Sequence, residues 1–323
     1  VPTVLVHERL DATLVERAVA LVDAVEAQSD RPALSDHLRL DLLAGDRPGV
    51  TAASLDHDGE HGPAGTLAAY AQASPANGGW VIGLVVDPAI SHRCLEVGTR
   101  LLCALIDGLR SPTGGRPAAG DTITWWVSDP DGDRADVAAA LGLRAGRHLY
   151  QMRVPLPLDV HATVTTRPFV PGVDDATWLD VNNRAFADHP EQGAWDPELL
   201  VLRCAESWFD PEGFLLHERE GRLAAFCWTK IHQETHPVMG EIYVIAVDPE
   251  FHGLGLGREL TLAGLDAISA RGITVGMLHV DASNTPALTL YRSLGFVVHH
   301  TDVAFAGTIG EFAEARGAGV ATI

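Results

Sequence analysis

The segment richest in chemistry runs from Gly240 to Thr261: Gly-Glu-Ile-Tyr-Val-Ile-Ala-Val-Asp-Pro-Glu-Phe-His-Gly-Leu-Gly-Leu-Gly-Arg-Glu-Leu-Thr. Ile242 to Val247 are apolar on both alternating faces, the pattern of a buried central strand. A glycine-rich turn follows, His252 to Gly257, and then Leu256, Leu260, Ala263 and Ala267 recur at helical spacing. Glycines let main-chain amides approach an anion closely. The free N–H groups of a first helical turn, with the helix dipole, favour a diphosphate there. The segment reads as a phosphate-binding loop at the end of a central strand. A second feature is Lys230, the single lysine among 23 basic residues. It is either a chance survivor in an arginine-biased chain or a position that needs a compact ammonium, which guanidinium cannot imitate.

Two familiar phosphate loops are excluded. There is no Gly-Lys-Ser/Thr, and a GxGxxG fingerprint begun at Gly253 would need glycine where Arg258 stands. His252-x-x-Gly255-x-Gly257 fits the pattern Q/R-x-x-G-x-G/A, with His in its first position. Farther on, Asn284-Thr285-Pro286-Ala287-Leu288-Thr289-Leu290-Tyr291-Arg292-Ser293-Leu294-Gly295-Phe296 places Thr at an expected N-cap, Pro at N1 and Gly past a helix end. The two segments resemble the acetyl-CoA loop and the NxxAxxLYxxxGF segment of the GNAT N-acetyltransferases. Val181–Phe186, His189–Trp195, Trp208–Gly213, Trp228–His232 and Gly240-Glu241 extend the resemblance to a tandem-domain branch of that family, over most of residues 165–306.

The resemblance implies an acetyltransferase with acetyl-CoA as co-substrate and no metal. Acetyl-CoA would be held by Ile245, Ala246, Val247, His252, Gly253, Leu254, Gly255, Leu256, Gly257, Arg258, Asn284, Thr285, Ala287 and Leu288. The implied acceptor is the cysteinyl amine of a glucosaminyl-inositol pseudodisaccharide, met by Asp36, Glu191, Lys230, Glu241 and His279. Another small-molecule or peptide amine, or a catalytically dead acyl-CoA sensor, stays open.

Direct attack of an amine on a thioester needs a proton acceptor, an oxyanion donor and an acid for the leaving thiolate. A cysteinyl α-amine has a pKa near ~8, so deprotonating it at neutral pH costs only about 1–1.5 kcal/mol, against more than ~4 for lysine. A carboxylate, acting directly or through one water, is base enough. Glu241 is expected in that role, a main-chain amide near Ala246–Val247 at the oxyanion, and Tyr291 as the acid.

The elements that position these groups recur. Val85-Val86-Asp87-Pro88 returns as Ala246-Val247-Asp248-Pro249, 161 residues later. Leu141-Gly142 matches Leu294-Gly295, and a strand-like run closes each half. The expected architecture is α/β, a mixed sheet covered by helices, built twice. Residues 1–158 form a first domain, 159–307 a second, catalytic one, and 308–323 a frayed tail. Four prolines in the 18 positions from Pro155 to Gly172 mark an extended linker. In the first half, Glu96 stands where the loop has its first glycine, the loop is two residues longer, and the Asn-to-Tyr segment has no counterpart. A carboxylate aimed at a diphosphate is repulsive. This half is expected not to catalyse and to bind acetyl-CoA weakly if at all, while helping to shape the acceptor cleft through Asp36.

Two motifs carry no metal. His232-Gln233-Glu234-Thr235-His236 has the order HxExH followed by Pro237, not a zinc helix, and Asp129–Asp133 lacks a calcium loop's later Glu. A formal charge of -20 argues against nucleic acid and anionic membrane as partners. No apolar run approaches a membrane span, no signal peptide is read, and four scattered cysteines suit a reducing compartment. A cytoplasmic monomer acting on a small molecule is expected.

Overall fold

The computed structural model describes residues 3–29, 32–45, 47–60, 62–76, 79–109, 120–187, 192–193, 195–233 and 235–317. The first half forms β1 (Leu5–His7), α1 (Ala12–Glu26), α2 (Asp36–Ala44), β2 (Thr51–Asp56), β3 (Leu67–Ala76), β4 (Gly79–Val86), α3 (Cys94–Leu109), β5 (Thr122–Ser128), α4 (Gly132–Ala140) and β6 (Arg144–Pro155). The second forms β7 (Arg167–Pro168), α5 (Asp175–Ala185), α6 (Pro197–Cys204), β8 (Phe214–Arg219), β9 (Arg222–His232), β10 (Met239–Val247), α7 (Leu256–Ala270), β11 (Val275–Asp281), α8 (Thr285–Ser293), β12 (Val297–Thr308) and α9 (Ile309–Gly317).

The chain divides into two compact units, Val1–His148 with Thr301–Ile323, and Leu149–His300. Within the first unit the strand order is β1-β2-β3-β4-β5-β12; within the second it is β7-β8-β9-β10-β11-β6. Both series are antiparallel except for one parallel pair, β4 with β5 and β10 with β11. The repeat is thus a repeat of topology. A division at 158/159 differs from this one for a physical reason. β6, which ends the first half of the sequence, pairs with β11, and β12, which ends the second, pairs with β5. The frayed tail expected over 308–323 is corrected in its described part, residues 318–323 lying outside the described residues. Residues 309–317 are helical, and Ile309 and Phe312, one helical turn apart, are buried in the first unit's core.

The second unit is a sheet with an apolar layer on each face. On one face α7 buries Leu256, Leu260, Leu265 and Ile268 against Ile242, Cys227 and Leu278. Gly264 allows that approach, since a Cβ there would lie 2.5 Å from Ile242 and 2.6 Å from Cys227 Sγ. On the other face Trp178 of α5 and Leu200 of α6 pack on Phe214, Phe226, Trp228 and Val244. The proline-rich linker is strapped along α7: His161 Nδ1 is 2.7 Å from Asp266 Oδ1, and the Thr163 N–H donates to Glu259 at 2.6 Å.

In the first unit the region matching the glycine turn is helical. Glu96 lies in the first turn of α3, bonded to Arg93 at 3.1 Å. Gly98 is a packing glycine, since a Cβ there would lie 2.8 Å from Leu84. The repeat offset carries Glu241 onto Trp80, and Tyr291, three before Leu294, onto Ala138, three before Leu141. The Asp-rich turn caps α4: Asp131 accepts the Arg134 N–H at 2.9 Å.

Candidate active site

β10 and β11 run parallel but pair only over Gly240–Ile242 and Gly276–Leu278. β10 shifts register against β9 between Ile242 and Val244, a bulge. Beyond that point β10 keeps β9 and leaves β11, so the sheet opens along Tyr243 to Val247. Asp248 N–H donates to Ala224 O of the neighbouring β9. Amides alternate along a strand, so the Val247 N–H points to the other edge, into the opening. An unpaired main-chain donor of this kind is what an oxyanion needs.

The glycine turn stands at the end of the same strand. Gly253 and Gly255 have φ of +80° and +76°, and Gly255 caps α7. Only glycine takes this conformation without strain. The first helical bond is donated by Arg258 to Gly255 O, leaving the preceding amides as orphan helix donors. At Gly257 a Cβ would have only ordinary contact, with Leu290 at 3.8 Å, so glycine there serves access. His252 Nε2 lies 3.1 Å from Val247 O. Facing a carbonyl, that nitrogen is the donor Nε2–H and ties the turn to β10; a neutral ring then carries only a lone pair at Nδ1, so His252 would meet a diphosphate there only as the imidazolium. The loop fits the acetyl-CoA diphosphate through its amides. Gly255→Val should raise the acetyl-CoA Kd about tenfold or more, from left-handed strain of roughly 1–2 kcal/mol and a blocked cradle. Calorimetry showing an unchanged Kd would contradict the role of this turn.

α8 begins one residue earlier than the sequence suggested. Asn284 is the N-cap and its side chain accepts the Ala287 N–H at 3.2 Å, while Thr285 and Pro286 occupy the first turn. The reason is chemical: an Asn carboxamide caps at least as well as a Thr hydroxyl. Tyr291 and Leu288 are buried, with the Tyr291 ring 5.8 Å from Phe296. Burial pushes the Tyr291 phenol up to about 12, so it stays protonated.

Glu241 and Tyr291 are not in contact. Tyr291 packs in the α7-side core with Ile242, and Glu241, the preceding residue of β10, points to the opposite face. Glu241 is buried and both its oxygens are engaged. Oε2 is 2.8 Å from His232 Nε2, and Oε1 is 3.0 Å from His279 Nδ1. Burial alone would push its pKa up. The hydrogen bonds from the two imidazoles outweigh it and hold the carboxyl well below the usual carboxylate range.

Lys230 is the Cα partner of Glu241 across the β9–β10 pair. Its stem is buried and its Nζ lies 4.9 Å from the Trp208 ring centroid and 5.7 Å from that of Tyr243. Lys230, Glu241 and His279 are therefore brought together. Asp36 is in the first turn of α2, in the first unit. Glu191 lies outside the described residues. Two described residues that follow it are held by asparagines of α5: Asn182 Nδ2 donates to Gln192 O at 3.1 Å and Asn183 Nδ2 to Trp195 O at 2.8 Å.

Sequence reasoning missed His232, read only as part of a metal decoy, and the rings of Trp208 and Tyr243 under Lys230. One signal was available. A hairpin turn near Thr235 places Lys230 opposite Glu241, and His232 then falls on the same face by alternation.

Strands that part beside such a loop are the architecture of the GNAT acetyltransferases, and the model of the acetyltransferase (GNAT) family matches residues 178–296. A GCN5-related N-acetyltransferase from Sphaerobacter thermophilus superposes with a TM-score of 0.71 at 23% identity, covering 95% of this chain and 96% of that one. A tandem GNAT protein from the clavulanic acid biosynthesis pathway superposes with a TM-score of 0.66 at 15% identity, covering 95% and 99%. The mycothiol acetyltransferase of Thermomonospora curvata is 42% identical over 90% of this chain and 93% of its own length. That of Frankia alni is 40% identical over 92% of both. The chain belongs to this mycothiol acetyltransferase family, and acetyl-CoA is its co-substrate.

Proposed function

We propose that the chain transfers the acetyl group of acetyl-CoA to the cysteinyl amine of a glucosaminyl-inositol pseudodisaccharide, the acetylation step of mycothiol formation, in the cytoplasm and as a monomer. The observation that carries this is the opening between β10 and β11, with a left-handed glycine turn at one end and the Glu241 carboxylate with its imidazoles at the other. The chemistry belongs to the second unit, because the first has Trp80 and Ala138 at the equivalent positions. Among the described residues no helix is long and apolar enough to cross a membrane.

The thioester lies in the opening, its carbonyl oxygen toward the Val247 amide and its diphosphate on residues 253–257. The amine approaches from the Glu241 face, where a desolvated carboxylate–imidazole group accepts its proton. The phenol of Tyr291 supplies a proton to the departing thiolate. Lys230, held over aromatic rings, meets acceptor hydroxyls as a donor.

The test is thiol release from acetyl-CoA with the cysteinyl pseudodisaccharide, beside the same sugar lacking cysteine and an unrelated amine. Turnover confined to the cysteinyl compound supports the reading. Equal turnover with the unrelated amine, or none with any, overturns it. Lys230→Ala should raise the acceptor KM about tenfold or more, the loss of roughly one charge-assisted hydrogen bond, with the acetyl-CoA KM unchanged. An unaltered acceptor KM would remove Lys230 from the acceptor site.

A further inference from the structure

Glu241 is an awkward proton acceptor by itself. It is buried, each oxygen already takes a hydrogen bond, and its charge is strongly stabilised. The weaker the base, the less it helps an amine lose a proton. The two imidazoles differ in position. His232 is on β9, on the side of β10 away from the opening. His279 is the first residue of β11 beyond its last pair with β10, Leu278 with Ile242, so it stands where the opening begins. Its side chain is 31% exposed, against 14% for His232 and 9% for Glu241.

We propose that His279 is the group that takes the proton from the attacking amine, at Nε2, and that Glu241 is the positioning residue that fixes its tautomer. An ionised carboxylate can only accept, so the nitrogen 3.0 Å from Glu241 Oε1 must be the donor Nδ1–H. A neutral ring with Nδ1 protonated carries its lone pair on Nε2, the arrangement of an acid–imidazole pair in nucleophilic enzymes. Glu241 also stabilises the imidazolium that forms. His232 holds the second carboxylate oxygen, so the carboxylate plane cannot swing. The other imidazole facing His279 is His300, with ring centroids 6.5 Å apart.

The step balances. As the amine nitrogen bonds to the thioester carbonyl carbon, an N–H proton passes to His279 Nε2. Collapse of the tetrahedral adduct breaks the C–S bond, and the thiolate takes the phenolic proton of Tyr291. The imidazolium then gives its proton to water and the phenolate regains one. The inference rests on the acetyl-transfer reading above.

The test uses the full chain. His279→Asn keeps an N–H near Glu241 but removes Nε2. Its kcat should fall about 100-fold or more, with the acetyl-CoA KM within about twofold. His279→Ala should regain at least about a tenth of the lost rate when free imidazole is added, in proportion to its neutral form. A purely structural role would give no such rescue. Independently of turnover, ¹⁵N-histidine NMR of the unaltered protein near pH 7 should show His279 neutral with Nδ1 protonated. Wild-type-like kcat in His279→Asn, absence of imidazole rescue, a proton on Nε2, or a cationic ring at that pH each overturns the proposal. If the unaltered protein turns over no cysteinyl acceptor, the functional reading fails, and the NMR tautomer still decides the Glu241–His279 pair.

Discussion

Glu241→Gln should lower kcat by about 10²- to 10⁴-fold while leaving acetyl-CoA affinity within about twofold. The substitution preserves shape and removes charge. In the native site the carboxylate accepts from His232 at 2.8 Å and from His279 at 3.0 Å. A carboxamide can accept from one of them only. Its NH₂ must face the other, which then turns its own proton away. The proton acceptor loses both its tautomer and the negative charge that stabilises its cationic form. The glycine turn is remote from this change, so binding of acetyl-CoA is expected to persist. Pre-steady-state thiol release with saturating acetyl-CoA measures the effect. A variant within threefold of the parent rate would show that the charge on residue 241 has no part in the chemistry.

Tyr291→Phe should lower kcat about 100-fold, again without loss of acetyl-CoA affinity. The phenol is buried against Phe296 and close to the buried Cys227 thiol, and burial holds its pKa up to about 12. It stays protonated across the working pH range and is available when the thiolate departs. Removing one oxygen from an otherwise apolar setting leaves the ring packing in place, so the fold is expected to tolerate the change. The readout that separates an acid from a packing residue is the leaving group. A thioester of a more acidic thiol needs less protonation, so the variant should recover most of its deficit with it. An equal deficit with both thioesters would assign Tyr291 to packing.

Much of this was legible in the residues. The apolar run 242–247, the glycines at 253 and 255 and the Asn-to-Tyr segment each impose a local geometry on their own. Buried strands, left-handed turns and capped helices are short-range consequences of residue type. Two aspects were not legible, for the same reason. The division of the chain depends on which strands β6 and β12 pair with, contacts between residues far apart in sequence, such as Val154 with Gly276 and Phe305 with Trp125. The imidazoles on Glu241 likewise depend on register. His232 and His279 reach it only because β9 and β11 flank β10 with particular offsets, and a slip of one residue would turn both rings to the other face. Residues 307–323 looked like a tail because the stretch is rich in glycine and alanine, yet Ile309 and Phe312 of α9 are buried in the first unit's core.

A crystal structure of the full chain with acetyl-CoA bears most directly on the chemistry assigned to the second unit. The diphosphate should accept from the amides of residues 253–257, the thioester carbonyl should lie about 3 Å from the Val247 N–H, and the sulfur should sit within hydrogen-bond reach of the Tyr291 hydroxyl. A coenzyme bound elsewhere, or one whose sulfur lies on the far side of β10 from Tyr291, would contradict it.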